Sequence, residues 1–167
     1  RWWNTLKRPN IMVKIPGTTE GIPAIEECTA AGVNINITLL FAIGFYEQSI
    51  EAYLRGLERR VESGQDVQSL NSVASFFVSR VDTAADKLIE GKIAAAGTDA
   101  EKSRLQGLAG KVAVANAKVA YQRFVEVFGS ARFKALAAKG ARVQRPLWAS
   151  TGTKNKAYSD ILYISEL

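Results

Sequence analysis

The chain has 167 residues, 47% of them hydrophobic and 23% charged, with a formal net charge of +6. This composition is typical of one globular domain with enough apolar material for a core. The chain has no histidine, which excludes His-based metal sites, Ser-His-Asp triads and Cys-His dyads within it. Cys28 is the single cysteine, which rules out an internal disulfide and is typical of a reducing cytoplasm.

The surplus of basic residues is scattered along the chain rather than interleaved with aromatic residues, so we expect no nucleic-acid binding. No apolar run reaches the roughly 18 residues of a membrane helix, and no secretory signal is present, so we expect no membrane association. The chain begins at Arg1 rather than methionine and ends at Leu167 inside a helical pattern. We therefore interpret it as part of a longer polypeptide.

Strands and helices alternate in the predicted elements. Residues 10–16 form a short β-branched run closed by proline and glycine, which predicts a strand, and a helix follows over residues 19–31. Residues 33–41 alternate between apolar and polar side chains and predict the second strand. Residues 45–63 repeat apolar side chains at helical spacing.

The second half of the chain continues the same alternation. Residues 72–78 predict the third strand, and a helix-rich stretch extends to about residue 141. Residues 146–150 predict the fourth strand. A last helix is expected from Ala157, with Ile161, Leu162 and Ile164 facing inward. Four strand–helix units predict an α/β fold with a parallel sheet, and no glycine-rich nucleotide-binding motif is present.

The two faces of the predicted strands differ in polarity. On the second strand, one face carries Ile35, Ile37, Leu39 and Phe41, and the other carries Asn34, Asn36 and Thr38. Polar groups on a buried strand face need partners in a lined interior, which a (β/α)8 TIM barrel provides. Four strands cannot close a barrel and leave two unpaired edges. We therefore expect an incomplete barrel whose edges are covered by more of the same polypeptide, a complementing segment or a second copy in a homodimer.

Lys14 is the candidate nucleophile because it lies on the polar face of the first strand. The free amine of a lysine desolvated inside a barrel attacks a ketone to form an imine, and the protonated imine then assists carbon–carbon cleavage. A lysine that pairs with an interior carboxylate, or that reaches the rim of the barrel, is the alternative for Lys14. Asn36 and Thr38 share a face of the next strand and either bind substrate hydroxyls or pair with each other. Arg80 and Lys154 follow later strands, where phosphate often binds, although solvated loop charges are the alternative.

Five segments resemble the transaldolase family. They are NIMVKIPGT at residues 10–18, NINITLLF at 34–41, AYLRGLERR at 52–60, SFFVSR at 75–80, and the stretch at 144–155 containing WASTGTKN. The first resembles the segment around the Schiff-base lysine, and the third resembles a helix of the longer bacterial transaldolases. The resemblance covers essentially the whole chain in order and implies that it supplies strands four to seven of one TIM-barrel domain.

The resemblance implies a role for each candidate residue. Lys14 would form the imine, Asn36 would bind substrate beside it, and Thr38 would help to position the catalytic water. Substrate contacts are implied for the remaining candidates, with Arg80 on the phosphate and Lys154 in place of a phosphate-binding arginine: Ser75, Phe77, Arg80, Ser150 and Lys154. Ser79 departs from the family, which commonly has glycine there, and this departure could alter the turn that holds Arg80.

The activity implied is transfer of a dihydroxyacetone unit from sedoheptulose 7-phosphate to glyceraldehyde 3-phosphate, in the pentose phosphate pathway, without a cofactor or metal. Transaldolases place their acid–base aspartate and glutamate on strands that would precede Arg1. These 167 residues alone are therefore expected to be inactive or nearly so. Two alternatives remain: a fructose 6-phosphate aldolase, for which the helical stretch before the fourth strand is too long, and a non-catalytic phosphosugar-binding module.

Overall fold

The computed structural model describes residues 2–167, with the side chains of residues 3–167. The elements, in chain order, are α1 (Trp2–Leu6), β1 (Val13–Pro16), α2 (Gly21–Ala30), β2 (Ile35–Leu40), α3 (Ile43–Glu62), β3 (Ser72–Phe77), α4 (Ser79–Ala95), α5 (Asp99–Gln106), α6 (Val112–Phe128), α7 (Ala131–Ala137), β4 (Gln144–Ala149) and α8 (Leu162–Glu166). All four predicted strands are present. Within the described residues, no helix is long and apolar enough to cross a membrane.

The four strands form one parallel sheet in the order β1-β2-β3-β4, which confirms the predicted α/β class. Successive strands are neighbours, each joined to the next through helices, as expected of a partial (β/α)8 barrel. The register pairs Lys14 with Asn36 and Pro16 with Thr38. The predicted end of α2 is also confirmed, because Gly32 follows it with a φ of 78°, a conformation that favours glycine.

The chain divides into two compact units. The first comprises residues up to Phe76 together with residues 120–147, and the second comprises residues 77–119 and 148–167. The first unit has fully buried aliphatic side chains from α2, β2 and α3, including Ile25, Ile35, Ile37, Leu40 and Leu57. The second unit has a smaller core of Val78, Ala113, Val114 and Tyr163, packed against Val81, Trp148, Leu162 and Leu167.

The last helix differs from its prediction. It begins at Leu162 rather than Ala157, and Ile161 and Ile164 are 60% and 73% exposed instead of facing inward. Leu162 does pack against the core of the second unit, but Tyr163 is the buried residue of this helix. The physical reason is a hydrogen bond of 2.7 Å from the Tyr163 hydroxyl to buried Asp82, which turns the tyrosine inward.

The predicted alternation of β2 also fails at its carboxyl end. Ile35 and Ile37 are buried as expected, but Leu39 is 42% exposed and Leu40 is fully buried. The cause is a register irregularity between Ile37 and Leu40, where the backbone of Leu39 takes a φ of 59°. This bulge moves Leu39 off the apolar face to which alternation assigned it.

Candidate functional site

Lys14 lies near the carboxyl end of β1, between Val13 and the buried Ile15. The strand is held by backbone hydrogen bonds from Val13 N to Asn34 O and from Gly17 N to Thr38 O, both 2.8 Å. The Lys14 side chain is exposed, because β1 is the edge strand of the described sheet. The desolvation expected from barrel walls is therefore not seen within this chain. Among residues 2–167, Lys14 has no ion-pair partner, so nothing here supports the structural pairing considered for it.

Asn36 lies opposite Lys14 on the neighbouring strand. Its Oδ1 accepts a hydrogen bond of 2.7 Å from the hydroxyl of Ser75 on β3, and Ser75 is itself buried. This bond fixes the orientation of the Asn36 carboxamide and leaves its NH2 group without a partner among the described residues. The pairing of Asn36 with Thr38, the alternative to substrate binding, is not present, and Asn36 pairs with Ser75 instead.

Thr38 lies two residues beyond Asn36 and opposite Pro16. It is almost completely buried, and its carbonyl oxygen accepts the hydrogen bond from Gly17 N. Because neighbouring residues in register share a sheet face, β1, β2 and β3 bring four of the candidate side chains to the face opposite the helices. They are Lys14, Asn36, Thr38 and Ser75. A primary amine, an amide donor and hydroxyl groups on one face suit a carbonyl compound that carries hydroxyl groups.

Comparison with known proteins agrees with this arrangement. The family model for transaldolase/fructose-6-phosphate aldolase matches residues 1–167. The chain belongs to that family. It is 48% identical over 167 residues to the transaldolase of Trichodesmium erythraeum, covering 100% of this chain and 44% of the relative. It is 54% identical over 166 residues to the transaldolase of Acidothermus cellulolyticus, covering 99% of this chain and 42% of that protein.

A third relative, the transaldolase of Mycolicibacterium smegmatis, is 52% identical over 165 residues, covering 99% of this chain and 42% of the relative. The chain thus spans less than half the length of the curated relatives it matches. Family membership and the partial α/β architecture predicted from the motifs are confirmed. The roles of individual residues stay predictions.

Four candidate residues lie in the second unit, and two of them are in contact. The guanidinium of Arg80 stacks on the ring of Phe77, with Cζ 4.9 Å from the ring centroid. Arg80 is exposed and is the second residue of α4, so the positive end of the helix dipole adds to its charge. A cation at the positive end of a helix dipole forms a suitable environment for an anion.

Ser79 and Ser150 hydrogen bond to each other in the second unit. Their hydroxyl oxygens are 2.9 Å apart, and Ser79 N donates to Ser150 O, also at 2.9 Å. Ser150 takes a φ of 56° at the end of β4. Ser79 is buried as the first residue of α4, and its hydrogen bonds tie that helix to the end of β4.

Lys154 lies apart from the Phe77–Arg80 pair. It lines a pocket of the second unit that has three acidic side chains, and Arg80 does not line that pocket: the pocket is formed by Ser79, Asp82, Thr83, Asp86, Lys87, Glu90, Lys154, Asn155, Tyr158 and Tyr163. An acidic pocket disfavours phosphate. Lys154 is therefore the weakest of the candidate phosphate ligands.

The sequence interpretation missed a clamp formed by two aspartates of α4. Asp82 accepts hydrogen bonds from Ala113 N (2.8 Å) and the Tyr163 hydroxyl (2.7 Å). Asp86 accepts equivalent bonds from Gly110 N (3.1 Å) and the Tyr158 hydroxyl (2.7 Å). The four-residue spacing of the aspartates signals a shared helix face, but nothing in the sequence indicates the two tyrosines as partners. Within the described residues, no cluster of three or more acidic or cysteine side chains could hold a metal ion.

Proposed function

We propose that the full-length polypeptide carrying this chain is a transaldolase in which Lys14 forms the Schiff base. It transfers a dihydroxyacetone unit from sedoheptulose 7-phosphate to glyceraldehyde 3-phosphate, giving erythrose 4-phosphate and fructose 6-phosphate. The observation that carries the proposal is Lys14 in register with Asn36, whose amide is oriented by Ser75. Relatives named transaldolase, about half identical over the whole chain, support it.

The chemistry begins at the Lys14 amine. The amine adds to the ketone carbon of the ketose and loses water, forming a protonated imine. A base in the rest of the polypeptide removes the proton of the C4 hydroxyl, the electron pair of the C3–C4 bond moves into the imine, and erythrose 4-phosphate leaves, so that an enamine remains on Lys14. The same group returns the proton to the aldehyde oxygen when the enamine adds to it. The enamine then adds to the aldehyde of glyceraldehyde 3-phosphate, and water hydrolyses the new imine to release fructose 6-phosphate and the free amine.

The neighbouring side chains have distinct roles in this proposal. The Asn36 NH2 group donates to a substrate hydroxyl beside the imine, since its Oδ1 is occupied by Ser75. Thr38 positions the water that is released when the imine forms and the water that later hydrolyses it. Ser75 keeps Asn36 oriented and contacts substrate hydroxyls.

Arg80 and Lys154 are the phosphate ligands in this proposal. Arg80 binds phosphate, and the positive end of the α4 dipole adds to its charge. The ring of Phe77 stacks against the guanidinium and holds its orientation. Ser150 contacts substrate, and Lys154 supplements the charge. Residues 1–167 belong, in this proposal, to one TIM-barrel domain of a cytoplasmic enzyme of the pentose phosphate pathway, and a homodimer or a complementing segment covers the sheet edges.

Turnover of the full-length polypeptide tests the proposal. Transfer from sedoheptulose 7-phosphate to glyceraldehyde 3-phosphate is measured for the wild type, for Lys14→Met and for the control Lys92→Met on the exposed face of α4. We expect Lys14→Met to lower kcat by at least about a thousandfold, and Lys92→Met to leave it unchanged. Phosphosugar binding without turnover in the wild type would instead identify the non-catalytic binding module.

A further inference from the structure

The bulge in β2 lies in the middle of the candidate site. Between the register pairs Ile37–Ala74 and Leu40–Phe76 lie two residues of β2, Thr38 and Leu39, and one residue of β3, Ser75. Leu39 takes a φ of 59°, a conformation that costs a leucine about 1 kcal/mol. Bulges near active sites commonly redirect a side chain.

The surrounding residues are fitted to this bulge. Leu40 is fully buried and packs where Gly17 has no side chain, since a Cβ at Gly17 would overlap Leu40 Cδ2 and lie 3.3 Å from Ile37 Cγ2. Ile37 and Leu40 therefore occupy the same apolar face. The two residues between them, Thr38 and Leu39, are both left off that face. In a regular strand, only one of these two residues would lie off the apolar face.

Thr38 is held in place by this geometry. Its carbonyl accepts the hydrogen bond from the backbone N–H of Gly17, the residue after β1, while regular pairing with β3 resumes only at Leu40. A regular β2 would send Leu39 toward Gly17 and shift every later residue by one position. The orientation of Thr38 thus depends on a left-handed backbone at the next residue.

We propose that Leu39 is a positioning residue. Its left-handed backbone orients Thr38 so that Thr38 can hold the water that leaves when the imine forms and the water that later hydrolyses it. This inference rests on the proposed function of Lys14 and Thr38. Leu39 itself touches no reacting atom in this account. Its contribution comes from its backbone conformation. Substitutions that favour or disfavour a positive φ therefore distinguish this contribution from an effect of the leucine side chain.

The test uses the full-length polypeptide and two variants with opposite conformational preferences. Leu39→Val introduces a β-branched residue, which strongly disfavours a positive φ, whereas Leu39→Gly favours it. We expect Leu39→Val to lower kcat about 10- to 100-fold with KM nearly unchanged, and Leu39→Gly to keep kcat within about threefold of wild type. The control is Leu147→Val on β4, which is similarly exposed (40%) and should change neither parameter.

A double-mutant cycle with Thr38→Ala distinguishes positioning from general damage. If Leu39 acts through Thr38, adding Leu39→Val to Thr38→Ala changes kcat by less than about twofold. Multiplicative losses, or a Leu39→Gly variant as impaired as Thr38→Ala, would overturn the inference. Leu39→Thr replaces Leu39→Val in the cycle if the valine variant does not fold.

The two proposals fail in different ways. A wild type without turnover, or a Thr38→Ala variant with full turnover, contradicts the proposed function. A Thr38→Ala variant with reduced turnover whose losses multiply with those of Leu39→Val contradicts only the role of Leu39.

Discussion

Two clusters of polar side chains, one in each compact unit, differ in how completely their hydrogen bonds are satisfied. In the first unit, Lys14 is exposed and Asn36 uses only its oxygen, so an amine and an amide donor stay available. In the second unit, each carboxyl group of the Asp82–Asp86 clamp accepts one backbone N–H and one tyrosine hydroxyl. Polar groups with spare capacity indicate a place for a ligand, while satisfied buried groups indicate structural support.

Among variants that keep Lys14, the largest effect is expected from Asn36→Asp in the first cluster. The variant retains the oxygen that accepts from Ser75 but removes the amide donor and introduces a negative charge opposite Lys14. We expect kcat/KM for transfer to fall by at least about 100-fold, because the amide donor that orients the substrate is lost. The free energy of unfolding, from urea denaturation, should change by less than about 1 kcal/mol. A large loss of stability with unchanged turnover would reverse the roles of the two clusters.

The second cluster should respond in the opposite sense to Asp82→Ala. Asp82 is buried, and its removal leaves Ala113 N and the Tyr163 hydroxyl without their acceptors. We expect the free energy of unfolding to fall by about 3 kcal/mol. Asp160→Ala, at an exposed position of the same unit, is the matched control and should have almost no effect. Equal stability of the two variants would show that the clamp contributes nothing.

The two tyrosines of the clamp are expected to differ in how much their hydroxyl groups stabilise the fold. Tyr163→Phe and Tyr158→Phe each remove one hydroxyl donor and keep the ring. We expect losses of about 1 kcal/mol each in the free energy of unfolding, with the larger loss at Tyr163, which is the more buried side chain. Thermal or urea unfolding of both variants measures the difference. A larger loss at Tyr158 would contradict the importance given to burial.

The smallest effect is a dependence of stability on alkaline pH. Burial and the hydrogen bond to Asp86 raise the pKa of Tyr158 to about 12, from an ordinary value of 10.0. Because folding favours the neutral phenol, its stabilising contribution is complete below about pH 10 and is lost as the pH rises through the folded pKa. We expect Tyr158→Phe to flatten the decline of stability between about pH 10 and about pH 12. If the variant and the wild type lost stability with pH at the same rate, the Tyr158 hydroxyl would have the same pKa in the folded and unfolded states.

The sequence predicted the sheet and the four residues on its polar face because both follow from local patterns. Alternating side chains define the faces of β1 and β2, and family motifs locate Lys14 and Asn36. The bulge was missed because Leu39 and Leu40 are both apolar leucines, and either satisfies the alternation pattern. Only packing against Gly17 decides between them.

The clamp and the last helix were missed for a different reason. Tyr163 is buried through a hydrogen bond to Asp82, which lies 81 residues earlier in the chain. Local periodicity favoured Ile161 and Ile164 for the inward face, and no local signal reports such a distant partner. Burial that depends on long-range hydrogen bonds therefore could not be predicted from local patterns in the second unit.

Reductive trapping tests directly whether Lys14 forms the Schiff base. The full-length polypeptide is incubated with labelled fructose 6-phosphate, reduced with borohydride and digested, and the labelled peptide is identified by mass spectrometry. Lys92→Met serves as the control and Lys14→Met as the variant that should lose the label. We predict a reduced adduct on Lys14 and on no other lysine. An adduct confined to a different lysine, or no adduct in an enzyme with measurable transfer activity, would contradict it.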